Sequence, residues 1–235
     1  MKYKIYTPGG NPTLIIENLD NKISRNDYAN ISNDKMNQFP EIEQVGFMEK
    51  GEKTDFRLQM MGGELCINAL RCAGKWAYEQ TGKLENNIES VGTIFKTFIE
   101  EPDLVGIYLP KKYKKEDLVN NLQLITLDGI SHFVTTDIIR KDELANQLQF
   151  LAEKYSHLLE NVSAIGLMVL NKEHITPFVW VKETNSKILE TACGSGTLAA
   201  YIALDGNKST FTQPSGFDFF VSEDDDNFVL KSVVG

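Results

Sequence analysis

Two short stretches, each containing a cysteine, decide how this chain folds. They are Met61-Gly62-Gly63-Glu64-Leu65-Cys66-Ile67-Asn68-Ala69-Leu70-Arg71-Cys72 and Leu189-Glu190-Thr191-Ala192-Cys193-Gly194-Ser195-Gly196-Thr197. In each stretch a Cys follows residues that include Gly or Thr and precedes a long run that favours helix. A Cys at a helix N-terminus faces unpaired backbone N–H groups and the positive end of the helix dipole, which favours the thiolate. One such Cys in each half of the chain predicts two thiols that face one substrate from opposite sides.

Other roles for the cysteines stay open at this point. Buried structural thiols are the ordinary case in a globular chain, although the Gly-flanked helix starts disfavour it here. A disulfide or redox pair is also possible, since thiols that face one ligand would be near each other. A metal site is not expected, because no CxxC is present and His132, His157 and His174 show no ligand spacing. Cys72 lies further into the helix and is predicted to be a core residue.

Composition limits the classes of partner. The chain has 235 residues, 42% hydrophobic and 24% charged, with a net charge of −9. That charge disfavours nucleic acid or an anionic membrane as a partner, and no apolar run is long enough for a membrane span. The N-terminus lacks the apolar block of a signal peptide, and three cysteines without framework spacing fit a reducing cytoplasm. A basic run at 111–115 is interpreted as a solvated linker, which divides the chain into lobes at 1–114 and 115–235.

Periodicity places the main elements. Helices are predicted at 25–38, from Cys66 to Gln80, at 142–156 and from Gly194 to Leu204. Strands are predicted over 2–6, 14–17, 41–48, 56–60, 87–99, 104–109, 122–127, 164–170 and 177–181, with a last hairpin over 217–221 and 228–234. Both halves therefore repeat one plan, strands followed by a helix that begins at a Cys.

The two stretches resemble motifs of a known family. The segment from Cys66 to Cys72 resembles the C-G-N-G-x-R-C segment of diaminopimelate epimerases, and Glu190 to Gly196 resembles their E-T-x-A-C-G-[ST]-G segment with one residue fewer before the Cys. The family comprises cofactor-independent amino-acid racemases and epimerases, and its relatives include histidine racemases of opine-type metallophore pathways. The resemblance implies an α/β (α+β) fold of two similar lobes, each a curved, mainly antiparallel sheet around a central helix. It also implies an amino-acid substrate, no cofactor and an enzyme that could form a homodimer.

The chemistry such a site must perform fits two thiols. An amino-acid Cα–H is a very weak acid, and without pyridoxal phosphate no electron sink stabilises the carbanion. The site then needs a base on one face, a proton donor on the other, and hydrogen-bond donors around the carboxylate. Cys66 and Cys193 fit the first two roles. Backbone N–H groups of four residues at the helix starts suit the α-carboxylate: Ile67, Asn68, Gly194 and Ser195.

Further site residues follow from the resemblance alone. His132 matches the His of the family's G-N-P-H-x-V segment and is assigned to the catalytic group, although a lone His beside a strand is more often structural. Asn11, Gln44 and Gln59 match substrate-contacting amides of the family. Taken alone, the turn at Asn11 is a hairpin and Gln44 begins an exposed strand. The acid that supports a thiol is either Glu183 or Glu190.

The residues that would hold a distal carboxylate are missing. Diaminopimelate epimerases bind that group with two Asn and an E-R pair, and these positions fall on Ile130, Ala164, Asn185 and Ser186. The substrate is therefore expected to lack a second carboxylate, and the resemblance makes histidine the first choice. The alternatives are an epimerase with a relocated clamp, an isomerase like the phenazine-pathway relatives, which do not use a Cys pair, and a non-catalytic amino-acid-binding protein.

The lost clamp gives a prediction about specificity. Burying a carboxylate without a partner costs several kcal/mol, and about 1.4 kcal/mol already means tenfold in kcat/KM. We expect meso-diaminopimelate to be turned over at least about a hundredfold less efficiently than the best monocarboxylate amino acid. Side-by-side kinetics on diaminopimelate, histidine and neutral amino acids measure the ratio. Diaminopimelate as the best substrate would mean that the alignment around 130 and 185 is wrong.

Overall fold

One continuous sheet of 16 strands runs through both halves of the protein, as a computed structural model describes them from Met1 to Gly235. The strands of the first half are β1 (Tyr3–Tyr6), β2 (Thr13–Glu17), β3 (Gln44–Lys50), β4 (Phe56–Met60), β5 (Glu85–Ser90), β6 (Thr93–Glu101) and β7 (Leu104–Pro110). Those of the second half are β8 (Lys114–Asp117), β9 (Leu122–Leu127), β10 (Ile130–Thr135), β11 (Ala164–Asn171), β12 (His174–Val181), β13 (Ser186–Leu189), β14 (Thr210–Thr212), β15 (Asp218–Glu223) and β16 (Asn227–Val233).

The strand order joins the two lobes edge to edge. It runs β1-β2-β3-β4-β5-β6-β7-β16-β15-β14-β12-β11-β10-β9-β8, with β13 paired to β12. Most neighbours are antiparallel; the pairs β2–β3, β4–β5, β10–β11 and β12–β14 are parallel. The last strand, β16, pairs with β7 along its whole length, and the C-terminal residues bond back to Thr7. The predicted mixed fold with a mainly antiparallel curved sheet is confirmed.

Each lobe encloses one central helix. The four α-helices are α1 (Tyr28–Gln38), α2 (Ile67–Thr81), α3 (Leu144–Lys154) and α4 (Gly194–Ala203). Helix α2 packs against β2 and β4 to β7, and α4 packs against β9, β10, β11 and β15. Every residue of α4 is buried, whereas α1 and α3 cover β3 and β11 from outside. None of these helices combines the length and apolar character needed to cross a membrane.

Two predicted segments differ from the structure. The single strand expected over 87–99 is divided into β5 and β6 by a turn at Val91 and Gly92, whose φ angles are +44° and +75°. The basic run read as a linker contains the start of β8. Lys115 there donates from Nζ to the carbonyls of Ile202 and Ala203 at the end of α4, so it caps that helix. The proposed division at 114/115 falls at the first residues of β8.

Gly74 lets α2 approach the sheet closely. A Cβ at this position would lie 2.5 Å from Oγ1 and 2.6 Å from Cβ of Thr97 on β6. Packing density in such a core leaves no room for the extra methyl group, so helix and strand must separate.

We therefore predict that Gly74→Ala destabilises the protein by about 1–3 kcal/mol, even though Ala favours helix over Gly by roughly 1 kcal/mol. Urea unfolding measures the change. Gln80→Ala, at an exposed position of the same helix, is the control and should change stability by no more than about 0.5 kcal/mol. A Gly74→Ala protein as stable as the wild type would show that α2 has room to move.

Candidate active site

Both cysteines cap the N-termini of the central helices, as predicted. Cys66 and Cys193 have extended backbone conformations, and each side chain accepts a hydrogen bond from the N–H three residues on. The Sγ atoms lie 3.3 Å from the nitrogens of Ala69 and Gly196. Both thiols are free and buried. The two helix starts therefore present their thiols in the same way, one from each lobe.

The two helix starts meet directly. A Cβ on Gly194 would lie 2.8 Å from Oδ1 of Asn68 and 3.0 Å from Cβ of Ile67, so the first turn of α4 touches the first turn of α2. Only glycine permits this approach. The contact brings Cys66 and Cys193, which lie far apart in the sequence, to one place.

One cavity lies between the lobes at this contact. It is lined by both cysteines and by the four residues whose N–H groups were predicted to bind a carboxylate: Ile67, Asn68, Gly194 and Ser195. Helical geometry leaves the first N–H groups of each helix without an intrahelical acceptor, so they are available to a ligand. The geometry thus agrees with the predicted carboxylate site, with the positive ends of two helix dipoles pointing at it.

The other walls of the cavity divide by chemistry. One is apolar and comes mainly from the second lobe, and it is formed by Ile130, Val179, Val181 and Ile188. The other contains three carboxylates: Glu43, Glu64 and Glu190. No Lys, Arg or His lines the cavity. A cavity with three carboxylates and no basic side chain favours a ligand that brings positive charge.

Burial, rather than the helix dipole, controls the resting state of the thiols. The N–H groups of Ala69 and Gly196 lower the pKa values of Cys66 and Cys193, but burial and nearby glutamates raise both pKa values well above the ordinary range. Burial therefore outweighs the preference for thiolate that was predicted at the two helix starts. Both cysteines are neutral thiols there, and ionising one requires a nearby proton acceptor or cation.

Glu190, not Glu183, is the carboxylate beside a thiol. Burial raises the pKa of Glu190 to about 8, and its proximity to Cys193 further raises the pKa of that thiol. Glu183 is half-exposed and pairs with Arg25 at 3.5 Å. Of the two candidates left open by the sequence, the structure brings only Glu190 to the site.

A hydrogen-bond network of amides supports Cys66. Its thiol donates to Oε1 of Gln44 at 2.8 Å, and Nε2 of Gln44 donates in turn to Oδ1 of Asn11. Asn68 donates to the same Asn11 oxygen at 3.0 Å and to the carbonyl of Ala192 at 2.9 Å. Gln44 and Asn68 line the cavity, whereas Asn11 lies behind them. Asn11 therefore orients the two amides without facing the cavity itself.

Arg71 is a buried cation without a carboxylate partner. Its guanidinium donates to Oδ1 of Asn68 at 2.7 Å and to the hydroxyl of Ser232, and it lies 4.6 Å from the ring of Phe219. Burial lowers its pKa to about 10, so it remains charged. Its positive charge acts on Cys66 and therefore favours a thiolate there.

His132 lies behind Ser195 and does not line the cavity. Its Nε2 is 2.9 Å from Oγ of Ser195, which is 3.6 Å from Sγ of Cys193. Full burial lowers its pKa to about 3, so the imidazole is neutral, and Nδ1 has no partner. Gly166 on β11 gives the ring its space, since a Cβ there would lie 2.2 Å from Nδ1. The histidine can reach the reaction only through Ser195.

The other predicted positions lie in different places. Gln59 shares a face of the sheet with its cross-strand partner Phe47, on the side covered by α1, and does not reach the cavity. Cys72 is fully buried away from the cavity, as predicted for a core residue. Among the positions of the missing clamp, Ile130 and Ser186 line the cavity and Ala164 lies buried beside Ile130.

Sequence reasoning missed two of the cavity carboxylates, Glu43 and Glu64. Glu43 accepts from the N–H of Thr191 at 2.9 Å and from Asn11, so it connects the lobes. Glu64 is 5% exposed, and its Oε2 accepts from the N–H of Gly62 at 3.0 Å. The signal for Glu64 was its place two residues before Cys66, which puts it at the same helix start. Glu43 precedes a strand and carries no comparable signal.

Comparison with known proteins agrees with this geometry. A family model described as the histidine racemase CntK N-terminal domain matches residues 1–218. The chain belongs to this family. A histidine racemase from Fusobacterium nucleatum subsp. nucleatum is 30% identical over 94% of this chain and 89% of its own length. A histidine racemase from Staphylococcus aureus is 24% identical over 84% of this chain and 77% of its own. Family membership makes the protein an isomerase of the amino-acid racemase class.

Solved structures show the same fold at low sequence identity. A protein of Pseudomonas aeruginosa described as a predicted epimerase superposes with a TM-score of 0.68 at 12% identity, covering 99% of this chain and 95% of its own. A phenazine biosynthesis protein of the PhzF family from Enterococcus faecalis gives 0.62 at 13% identity, with the same coverage. The resemblance to the epimerase fold is confirmed.

The two buried carboxylates Glu64 and Glu190 predict that the free energy of unfolding depends on pH. Burial raises the folded-state pKa of Glu64 to about 7 and of Glu190 to about 8, well above the values near 4.5 of unfolded chains. The folded state then binds more protons than the unfolded state, so the free energy of unfolding falls as pH rises through 7 and 8. His132 has the opposite effect only below pH 6.5, where the unfolded imidazole becomes charged.

We expect the free energy of unfolding to fall by roughly 2 kcal/mol between pH 6.5 and 8.5. Urea unfolding at both pH values measures it. Glu190→Gln should remove most of the slope, because its pKa lies inside the window. An unchanged slope in that variant would mean that Glu190 is already ionised in the folded protein at pH 6.5.

Proposed function

We propose that the protein is a cofactor-independent histidine racemase in which one cysteine removes the Cα proton and the other delivers a proton to the opposite face. The observation that carries the proposal is the pairing of Cys66 and Cys193 at two touching helix starts around one cavity. The free N–H groups of both helices support binding of the substrate α-carboxylate between the thiols. The two side chains then approach Cα from the two lobes, that is, from opposite faces.

The proton transfer conserves the charge of the site. One cysteine acts as thiolate and removes the Cα proton, which leaves a carbanion whose charge spreads into the bound carboxylate. The other cysteine, as thiol, donates its proton to the opposite face of Cα. The first cysteine ends as thiol and the second as thiolate, which is the starting state for the reverse reaction. The helix N–H groups stabilise the charge that develops on the carboxylate.

The environment of Cys193 offers a proton acceptor. Glu190 has a pKa of about 8, so near neutral pH it exchanges protons within the site, and it lies beside this thiol. We infer that the substrate ammonium favours the ionised form of Glu190, which then takes the Cys193 proton, and that the ammonium also stabilises the thiolate. His132 then has a positioning role: with the proton on Nε2 it donates to Ser195, whose hydroxyl donates to Cys193. In that arrangement the buried atom without a partner is Nδ1 of His132, which is an acceptor. An unpaired buried acceptor costs less free energy than an unpaired N–H.

The choice of histidine rests on the relatives and on the walls of the cavity. Both F. nucleatum and S. aureus relatives are named histidine racemases. In this chain no basic side chain lines the cavity to hold a distal carboxylate, and Arg25 near the mouth is engaged with Glu183 and the carbonyl of Met61. An apolar wall faces the carboxylates, which suits a ring that carries N–H groups.

Removal of either thiol tests the mechanism. We predict that Cys66→Ala and Cys193→Ala each lower kcat for racemisation of histidine by at least about 10³-fold, because each thiol transfers the proton on one face. Circular dichroism of the variants and polarimetry or chiral chromatography of the product measure fold and activity.

Cys72→Ala is the matched control, because this cysteine lies on the same helix but points into the core. It should retain activity and lose only the packing energy of a small side chain. Full racemisation by Cys66→Ala or by Cys193→Ala would refute the two-thiol mechanism. Loss of activity in all three variants would indicate a general packing effect.

A further inference from the structure

The carboxylate of Glu64 lines the cavity, and only one of its oxygens accepts a hydrogen bond from another residue. Its Oε2 accepts from Gly62 N–H, and no donor is hydrogen-bonded to Oε1. Of the other two cavity carboxylates, Glu43 is engaged with Thr191 and Asn11, and Glu190 lies beside the thiol of Cys193. Buried carboxylates in folded proteins are paired or hydrogen-bonded. Glu64 therefore keeps an oxygen that can accept from a donor on a ligand.

The position of Glu64 is fixed by the backbone before Cys66. Gly63 has a φ of +75°, and a Cβ on Gly62 would lie 2.7 Å from Oε2 of Glu64 and 2.4 Å from Cγ1 of Val181. The turn thus places the carboxylate near the apolar wall of the second lobe. One side of this part of the cavity is a single acid, and the other is made of Val181 and its aliphatic neighbours.

Nearby charges do not supply the missing partner. Arg25 lowers the pKa of Glu64 and Glu183 raises it, so their effects oppose each other. The pair they form is partly exposed at the edge of the cavity. Burial has the largest effect and raises the pKa of Glu64 to about 7, because the surrounding residues stabilise the charged carboxylate poorly.

We propose that Glu64 determines specificity by accepting a hydrogen bond from a ring N–H of the substrate side chain, while Val181, Ile130 and Ile188 pack on the ring faces. The inference rests on the proposed function and names the residue that recognises the imidazole. A planar, partly cationic ring satisfies both the acid and the aliphatic wall. A distal carboxylate would be repelled by Glu64, and a ring without N–H would leave its oxygen unpaired.

The test compares Glu64→Gln with the wild type on two ligands of similar shape, L-histidine and L-β-(2-thienyl)alanine, whose ring has no N–H. Dissociation constants from calorimetry and rates of Cα–H exchange in D₂O are both measured. We expect the wild type to prefer histidine by at least about 100-fold, since a site that hydrogen-bonds a substrate N–H rejects analogues that lack it. Glu64→Gln should lose at least about tenfold on histidine and bind thienylalanine no worse than the wild type does.

Glu183→Gln makes the same substitution on the partly exposed acid at the cavity edge, and it should leave the preference for histidine unchanged. Equal losses on both ligands in Glu64→Gln, or no change on either, would overturn the inference. So would a wild type that binds neither ligand or prefers thienylalanine. Histidine binding that depends on Glu64 without any Cα–H exchange would instead uphold the inference and refute the proposed racemase function.

Discussion

The side-chain amide of Asn68 holds the site together across the lobes. It donates to Asn11 in the first lobe and to the carbonyl of Ala192 in the second, and its oxygen accepts from Arg71. All three hydrogen bonds are buried, where an unmade bond costs the desolvation of the orphaned group. Because Asn68 occupies the first turn of α2 and touches Gly194 of α4, these bonds fix how the two helix starts face each other. The placement of both thiols depends on that contact.

The charges around this contact explain why both cysteines are neutral thiols before a substrate binds. Burial keeps both thiols protonated, and three carboxylates share the cavity without a cation. An incoming amino acid changes both conditions, since its ammonium offsets the carboxylates and its carboxylate meets two helix N-termini. The buried positive charge of Arg71 lies behind Asn68 and is not neutralised by an acid. The arrangement becomes favourable for a thiolate only when the zwitterion is bound, which couples ionisation to binding.

Local sequence signals predicted the elements that carry the thiols. The Gly-flanked Cys66 and Cys193 before apolar helical runs led directly to α2 and α4, and alternation led to most of the strands. The predictions failed where a long-range contact decides the structure. Lys115 is part of β8 because that segment pairs with β9, and Gln59 faces α1 because the register of β4 with β3 turns it away. Glu43 contacts Thr191 only because the lobes meet, which no local pattern indicates.

The central claim is that two different groups handle the proton on the two faces of Cα. Proton NMR of L-histidine incubated with the enzyme in D₂O, stopped at low conversion, tests it most directly. The account predicts that the D-histidine formed carries deuterium at Cα, while the remaining L-histidine keeps its proton. Unlabelled D-histidine, or deuterium appearing equally fast in the recovered L-histidine, would show that one group serves both faces and would contradict the account.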